Sequence, residues 1–220
     1  KQDFLDAVDR IIGGLEKKNK IITPKEKRTI AYHEAGHASV SWLLEHANPL
    51  VKVTIVPRGQ ALGAAWYLPE ERQITTKAQL LDQMISLLGG RAAEEIVFGE
   101  VSTGALNDLE RVTKQAYAMV VYYGLDKEIG NISFYDSSGQ SEYGFQKPFS
   151  DKTAEKIDAQ IRSMVEEAYN KAKAILTENR EKLDALATIL VEREVIFRED
   201  VENIYGKRPW DEEKADEQQA

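Results

Sequence analysis

The sequence predicts a mainly α-helical protein, with a small β-sheet near the helix that carries its two paired histidines and a helical bundle towards the C-terminus. Three observations carry this. Capping-box signals stand at Thr23-Pro24-Lys25-Glu26 and at Thr76-Lys77-Ala78-Gln79. Apolar residues recur at helical spacing along 157–168 and 183–190. One stretch, Val51-Lys52-Val53-Thr54-Ile55-Val56, alternates and is rich in β-branched residues, as a strand does.

Each element follows from local chemistry. Phe4, Ala7, Val8 and Ile11 sit on one face of a short amphipathic helix, which Gly13-Gly14 and a basic run close, so 1–20 reads as a helix end and linker. Thr23 caps the first long helix and Pro24 suits its first position. That helix runs to about residue 47, because Pro49 disfavours helical backbone at Asn48. After the strand at 51–56, Pro57-Arg58-Gly59 turns the chain into a second strand over 61–68. This one is irregular, contains Gly63 and ends at Pro69, which suits a sheet edge. The second long helix runs from the capping box at 76 towards 98 with Gly89-Gly90 inside it, a pair that marks a bend or the close approach of another backbone. A loop at 102–104 precedes a helix over 107–123, closed by Gly124. A short strand-like run spans 132–135. Helices follow over 151–176, from 179 through the apolar positions Leu183, Leu186, Ile189 and Leu190, and over 198–205. The sequence from 206 to 220 is polar and reads as a disordered tail, leaving 21–205 as the folded domain.

Composition narrows the chemistry. At 220 residues, 42% hydrophobic and 30% charged, the chain has ordinary globular composition. It has no cysteine, which excludes disulfide scaffolds, thiolate nucleophiles and cysteine-ligated zinc. A formal net charge of −8 argues against nonspecific nucleic-acid binding. No apolar run is long enough to span a bilayer. The start, Lys1-Gln2-Asp3, shows neither an initiator Met nor a signal-peptide core, so the chain reads as a soluble fragment of a longer protein.

Imidazole chemistry must come from three histidines, His33, His37 and His46. His33-Glu34-Ala35-Gly36-His37 places two of them four residues apart on one face of a helix, able to hold one tetrahedral Zn²⁺, with Glu34 beside it as a general base. His46 lies at the helix end and is set aside as a surface residue. A glycine and a histidine three and six residues after the second histidine would mark the metzincin pattern; Val40 and Leu43 stand there instead. Catalytic zinc takes three protein ligands and leaves one position for water. The third ligand is thus a carboxylate from another helix, and Glu94, Glu95 and Asp108 are all candidates that spacing does not separate.

Several ordered motifs together carry a resemblance. Asp-Arg-Ile-Ile-Gly-Gly-Leu-Glu-Lys-Lys (9–18), Ala-Tyr-His-Glu-Ala-Gly-His-Ala (31–38), Pro-Arg-Gly-Gln-Ala-Leu-Gly (57–63), Leu-Gly-Gly-Arg-Ala-Ala-Glu-Glu (88–95) and Ser-Thr-Gly-Ala-Leu-Asn-Asp-Leu (102–109) resemble the proteolytic domain of FtsH-type membrane-anchored AAA+ zinc proteases. The first motif resembles the end of the family's ATPase lid. The resemblance implies a zincin-like domain and an ATP-dependent endopeptidase acting on membrane and unfolded soluble proteins. It implies one zinc per subunit held by His33, His37 and Asp108, with Glu34 activating the zinc-bound water. Glu94 and Glu95 would be supporting or structural groups, Glu95 ahead of Glu94 as the support of a ligand histidine, and the strand with Gly63, Ala64, Ala65, Trp66 and Tyr67 would pair with extended substrate. It further implies a homo-hexameric ring, an AAA+ module upstream in the same chain, and a membrane anchor that leaves the protease domain on the cytoplasmic side or in the equivalent organelle compartment. No P-loop motif occurs in these 220 residues.

Overall fold

The computed structural model describes residues 22–57, 62–68, 73–135, 148–208 and 210. The amphipathic helix expected within 3–20 and most of the 206–220 tail lie outside these residues. The first described helix, α1 (Pro24–Leu43), begins on the expected capping box: Glu26 N–H donates to Thr23 Oγ1 (3.2 Å) and Thr23 N–H to Glu26 Oε2 (2.9 Å). From Ile30 to Trp42 every residue of α1 is buried, polar ones included. A helix covered on all sides has no solvent face on which to place its polar residues. His33, Glu34 and His37 therefore sit inside the protein by construction.

Helix α1 ends at Leu43, four residues before the expected stop. The reason is tertiary. His46 N–H donates to Asp82 Oδ2 (3.1 Å), and the Arg208 guanidinium takes the carbonyls of Leu44 and Ala47. Those partners satisfy the backbone groups that further helix would have used. They also correct the reading of the tail, because Arg208 is buried and forms part of the fold.

Strand β1 (Leu50–Thr54) is the centre of a three-stranded antiparallel sheet. On one side it pairs β2 (Ala64–Tyr67), with Thr54 opposite Ala64 and Val53 opposite Ala65, and an irregularity between Leu50 and Lys52. On the other it pairs β3 (Val195–Phe197), with Val53 opposite Ile196. No sequence pattern marks β3, since three residues between two helices are too short for an alternation to register. The reverse correction applies at 132–135, which forms no strand. Phe134 N–H donates to the Val121 carbonyl (2.9 Å) and its ring packs on Phe149 with centroids 5.0 Å apart. Its β-branched and aromatic residues answer to that packing instead of to a ladder.

Helix α2 (Lys77–Phe98) also starts on its expected capping box and ends at Gly99, whose φ of 71° suits a left-handed cap. Helix α3 (Leu106–Tyr117) continues into a wider π-type turn over Ala118–Tyr122, in which Tyr123 N–H reaches back to the Ala118 carbonyl (2.9 Å). Helices α4 (Asp151–Glu178), α5 (Arg180–Arg193) and α6 (Arg198–Tyr205) complete the chain. The apolar stripes read from sequence supply the core: Ile157, Met164 and Ala168 of α4 and Leu183, Leu186 and Leu190 of α5 are buried within this one chain.

The crossing of α1 and α2 is unusually close. A Cβ on Gly36 would collide with the Gly89 carbonyl and lie 2.7 Å from Ala93 Cβ, while a Cβ on Gly89 would lie 2.7 Å from the Gly36 carbonyl oxygen. Backbone meets backbone here, as the Gly89-Gly90 pair signalled. Gly36→Ala is expected to lower stability by about 1–3 kcal/mol through overpacking; denaturant unfolding of the chelated protein measures it. An unchanged midpoint would show that the crossing has room to spare.

Candidate metal centre

Three donor atoms meet at one point. His33 Nε2 lies 3.1 Å from His37 Nε2 and 3.3 Å from Asp108 Oδ2, and His37 Nε2 lies 3.4 Å from that same oxygen. The histidines come from one face of α1 and Asp108 from the first turn of α3. Among the described residues these three form the group of histidine and carboxylate ligands able to hold an ion. His46 lies away from it, beside Glu45, as expected.

The second imidazole nitrogens fix the tautomers. His37 Nδ1–H donates to the Ser86 carbonyl (2.9 Å), an acceptor that leaves no choice of donor. His33 Nδ1–H donates to Glu94 Oε1 (2.6 Å), and Glu94 Oε2 accepts from Ser102 N–H (2.6 Å). Both Nε2 atoms are left to face the Asp108 carboxylate. Two nitrogen lone pairs and a carboxylate oxygen that converge in a buried place need a cation or a proton between them. Zinc with nitrogen and oxygen ligands at 2.0–2.1 Å sets tetrahedral ligand separations of about 3.3–3.4 Å. The two nitrogen–oxygen distances match that geometry, and the nitrogen–nitrogen distance of 3.1 Å is about 0.2 Å shorter.

The electrostatics agree. Burial opposes a charged His33, but the Asp108 and Glu94 carboxylates and the nearby Glu34 outweigh it and lift its pKa to about 10. For Asp108 burial is again overcome, here by His33 and His37, and its carboxyl is held well below the usual range. A cation held by His33 Nε2 must displace the proton kept there up to about pH 10. Metal uptake at pH 7 should therefore release at least one proton, and affinity should rise with pH towards that value. A pH-indicator titration in weak buffer measures the release; metal binding without it would mean that His33 is neutral before the ion arrives.

Glu34 lines the same cleft, an open space of about 1310 Å³ bordered by α1, α2, β2 and the start of α3. It is nearly covered, and burial raises its pKa above the ordinary carboxyl range against the pull of the two histidines. Strand β2 occupies one end of the sheet, and Gly63, Ala64, Ala65 and Tyr67 border the cleft. Trp66 does not border it, and its ring lies 5.5 Å from Lys52 Nζ.

One expectation is corrected. The carboxylate that supports a histidine is Glu94, not Glu95. Glu95 points the other way and takes hydrogen bonds from Tyr169 and from Lys173 (3.2 Å). Successive helix positions lie about 100° apart, so Glu94 and Glu95 leave α2 in different directions, and sequence spacing does not say which of them faces inward. The supporting groups from Ser86 and Ser102 are backbone atoms and have no sequence signature at all.

A His-Glu-x-x-His helix whose imidazoles meet a carboxylate from a neighbouring helix defines a zincin-like metallopeptidase centre. The profile of peptidase family M41 matches residues 20–204. The chain belongs to this family and is a metalloendopeptidase domain. It is 64% identical over 210 residues to the "ATP-dependent zinc metalloprotease FtsH" of Parabacteroides distasonis, covering 96% of this chain and 31% of that protein. It is 54% identical over 211 residues to the protein of the same name from Rhodothermus marinus, covering 95% and 30%. It is 46% identical over 218 residues to the "Mitochondrial inner membrane m-AAA protease component AFG3L2" of Mus musculus, covering 99% and 27%. The chain thus spans about a third or less of the length of these relatives. No helix among the described residues is long and apolar enough to cross a membrane.

Proposed function

We propose that this chain is the proteolytic domain of an ATP-dependent, membrane-anchored protease. It hydrolyses peptide bonds of unfolded and membrane proteins, with His33, His37 and Asp108 holding one zinc ion and Glu34 acting as general base. The observation that carries this reading is the convergence of the three donor atoms beside Glu34 in an open cleft. Zinc, when bound, supplies Lewis acidity: it makes water a nucleophile near neutral pH and polarises a carbonyl.

The chain's own residues do the rest. Glu94 and the Ser86 carbonyl hold the two imidazoles with Nε2 towards the ion, so little reorganisation is needed on binding. Glu34, with its carboxyl tuned upward by burial, takes a proton from the attacking water and returns it to the leaving amine. The side of β2 that is unpaired among the described residues offers backbone donors and acceptors to an extended peptide, laying it across the cleft by β-augmentation. Such a substrate must already be unfolded, which gives an upstream ATPase module its purpose. A six-fold ring of these domains would enclose the clefts, and a membrane anchor would present the chamber on the cytoplasmic side or in the equivalent organelle compartment.

The test is elemental analysis combined with cleavage of an unstructured protein, with and without chelator. One zinc per chain and chelator-sensitive cleavage are expected. Cleavage that persists after complete removal of metal would refute the reading.

A further inference from the structure

Gly90 stands one residue beyond the glycine at the helix crossing and makes a different contact. A Cβ built there would lie 2.6 Å from His33 Nε2, 2.6 Å from His37 Nε2 and 2.7 Å from His33 Cδ2. Real Cβ atoms essentially never come within 3.0 Å of a non-bonded heavy atom from elsewhere in the fold. The carbon would press on the two nitrogens whose lone pairs face Asp108, not on the outer edges of the rings. Neither imidazole can retreat freely, because the Nδ1 atoms are tied to Glu94 and to the Ser86 carbonyl. Gly63 repeats the arrangement at Glu34. A Cβ there would lie 2.7 Å from Glu34 Oε1 and 2.8 Å from Glu34 Cγ, and its retreat is blocked by the Thr54 carbonyl oxygen at 2.9 Å.

We infer that Gly90 and Gly63 are positioning residues that divide the centre between them: the bare Cα of Gly90 makes room for the metal-facing nitrogens, and that of Gly63 makes room for the carboxylate of the base. Neither backbone needs glycine for its conformation. Gly90 lies within α2, and neither residue has a positive φ. In a helix interior alanine is the better residue where space exists. The cost of a methyl at 90 therefore falls on the metal site and not on the helix. This inference rests on the reading of the site as a zinc centre.

Zinc affinity by chelator competition, the visible spectrum of the cobalt-substituted chain, kcat and KM are measured for wild type, Gly90→Ala and Gly63→Ala. Gly90→Ala should bind zinc at least about tenfold more weakly, as loss of an outer positioning group does, and should lose the tetrahedral cobalt bands. Gly63→Ala should keep both zinc affinity and the cobalt spectrum while kcat falls at least tenfold and KM stays near its wild-type value. If Gly90→Ala does not fold, it is repeated in a background with both His33 and His37 replaced by alanine. There the methyl meets no imidazole, and the thermal midpoint should be no lower than that of the background alone.

Wild-type zinc affinity in Gly90→Ala, loss of zinc in Gly63→Ala, or a methyl that destabilises the histidine-free background would each overturn the inference. A wild type that binds no zinc overturns the underlying reading as well, whereas a zinc-binding wild type matched by Gly90→Ala overturns this inference alone.

Discussion

Glu34→Gln should keep its zinc and lose peptide hydrolysis by about 10²–10⁴-fold, the range for removing a positioned general base. At 1.36 kcal/mol per decade this is about 3–5 kcal/mol of transition-state stabilisation. The amide has nearly the volume of the carboxylate, so the packing against Gly63 survives. Glu34 is not among the three converging donors, so metal content is unaffected. What the amide cannot do is accept a proton from water. The expected signature is a fall in kcat with a full complement of zinc by elemental analysis. Retention of more than a tenth of wild-type kcat would remove Glu34 from the mechanism.

Asp108→Ala should have the opposite signature, with loss of metal first and loss of activity as its consequence. The substitution removes the only carboxylate oxygen within 3.4 Å of both Nε2 atoms among the described residues, and with it the negative charge that makes the buried pair attractive to a cation. Affinity should fall by more than the about 10–100-fold that accompanies loss of an outer partner. Glu94→Ala sets that outer-partner scale, because Glu94 touches the centre only through His33. Glu95→Ala should leave zinc affinity unchanged, since its carboxylate is engaged with Tyr169 and Lys173. Chelator competition on the three variants orders them. If Glu94→Ala or Glu95→Ala lost more zinc than Asp108→Ala, the third ligand would have to be reassigned.

These predictions draw unequally on sequence and structure. The His-Glu-x-x-His spacing, the cap at Thr23, the capping box at Thr76 and the apolar stripes of α4 and α5 were legible in the sequence. Each is a relation between residues a few positions apart on one element, which helical geometry alone converts into a shared face. The scarcity of histidine went one step further and pointed to a carboxylate as third ligand, without choosing among Glu94, Glu95 and Asp108.

Tertiary structure decided everything that depends on two elements meeting. It set Glu94 against His33 and turned Glu95 outward, a difference of one helical position that composition does not record. It ended α1 at Leu43 with partners from α2 and from Arg208, where local proline chemistry alone pointed further on. It made a strand of Val195–Phe197, whose pairing partner lies more than a hundred residues away, and none of 132–135. It also separated the two adjacent glycines, setting Gly89 against the Gly36 backbone and Gly90 against the Nε2 atoms of His33 and His37. Local sequence fixes which residues share a face; which face meets which is settled by packing between elements distant in the chain, where one residue of register exchanges a ligand's support for a surface ion pair.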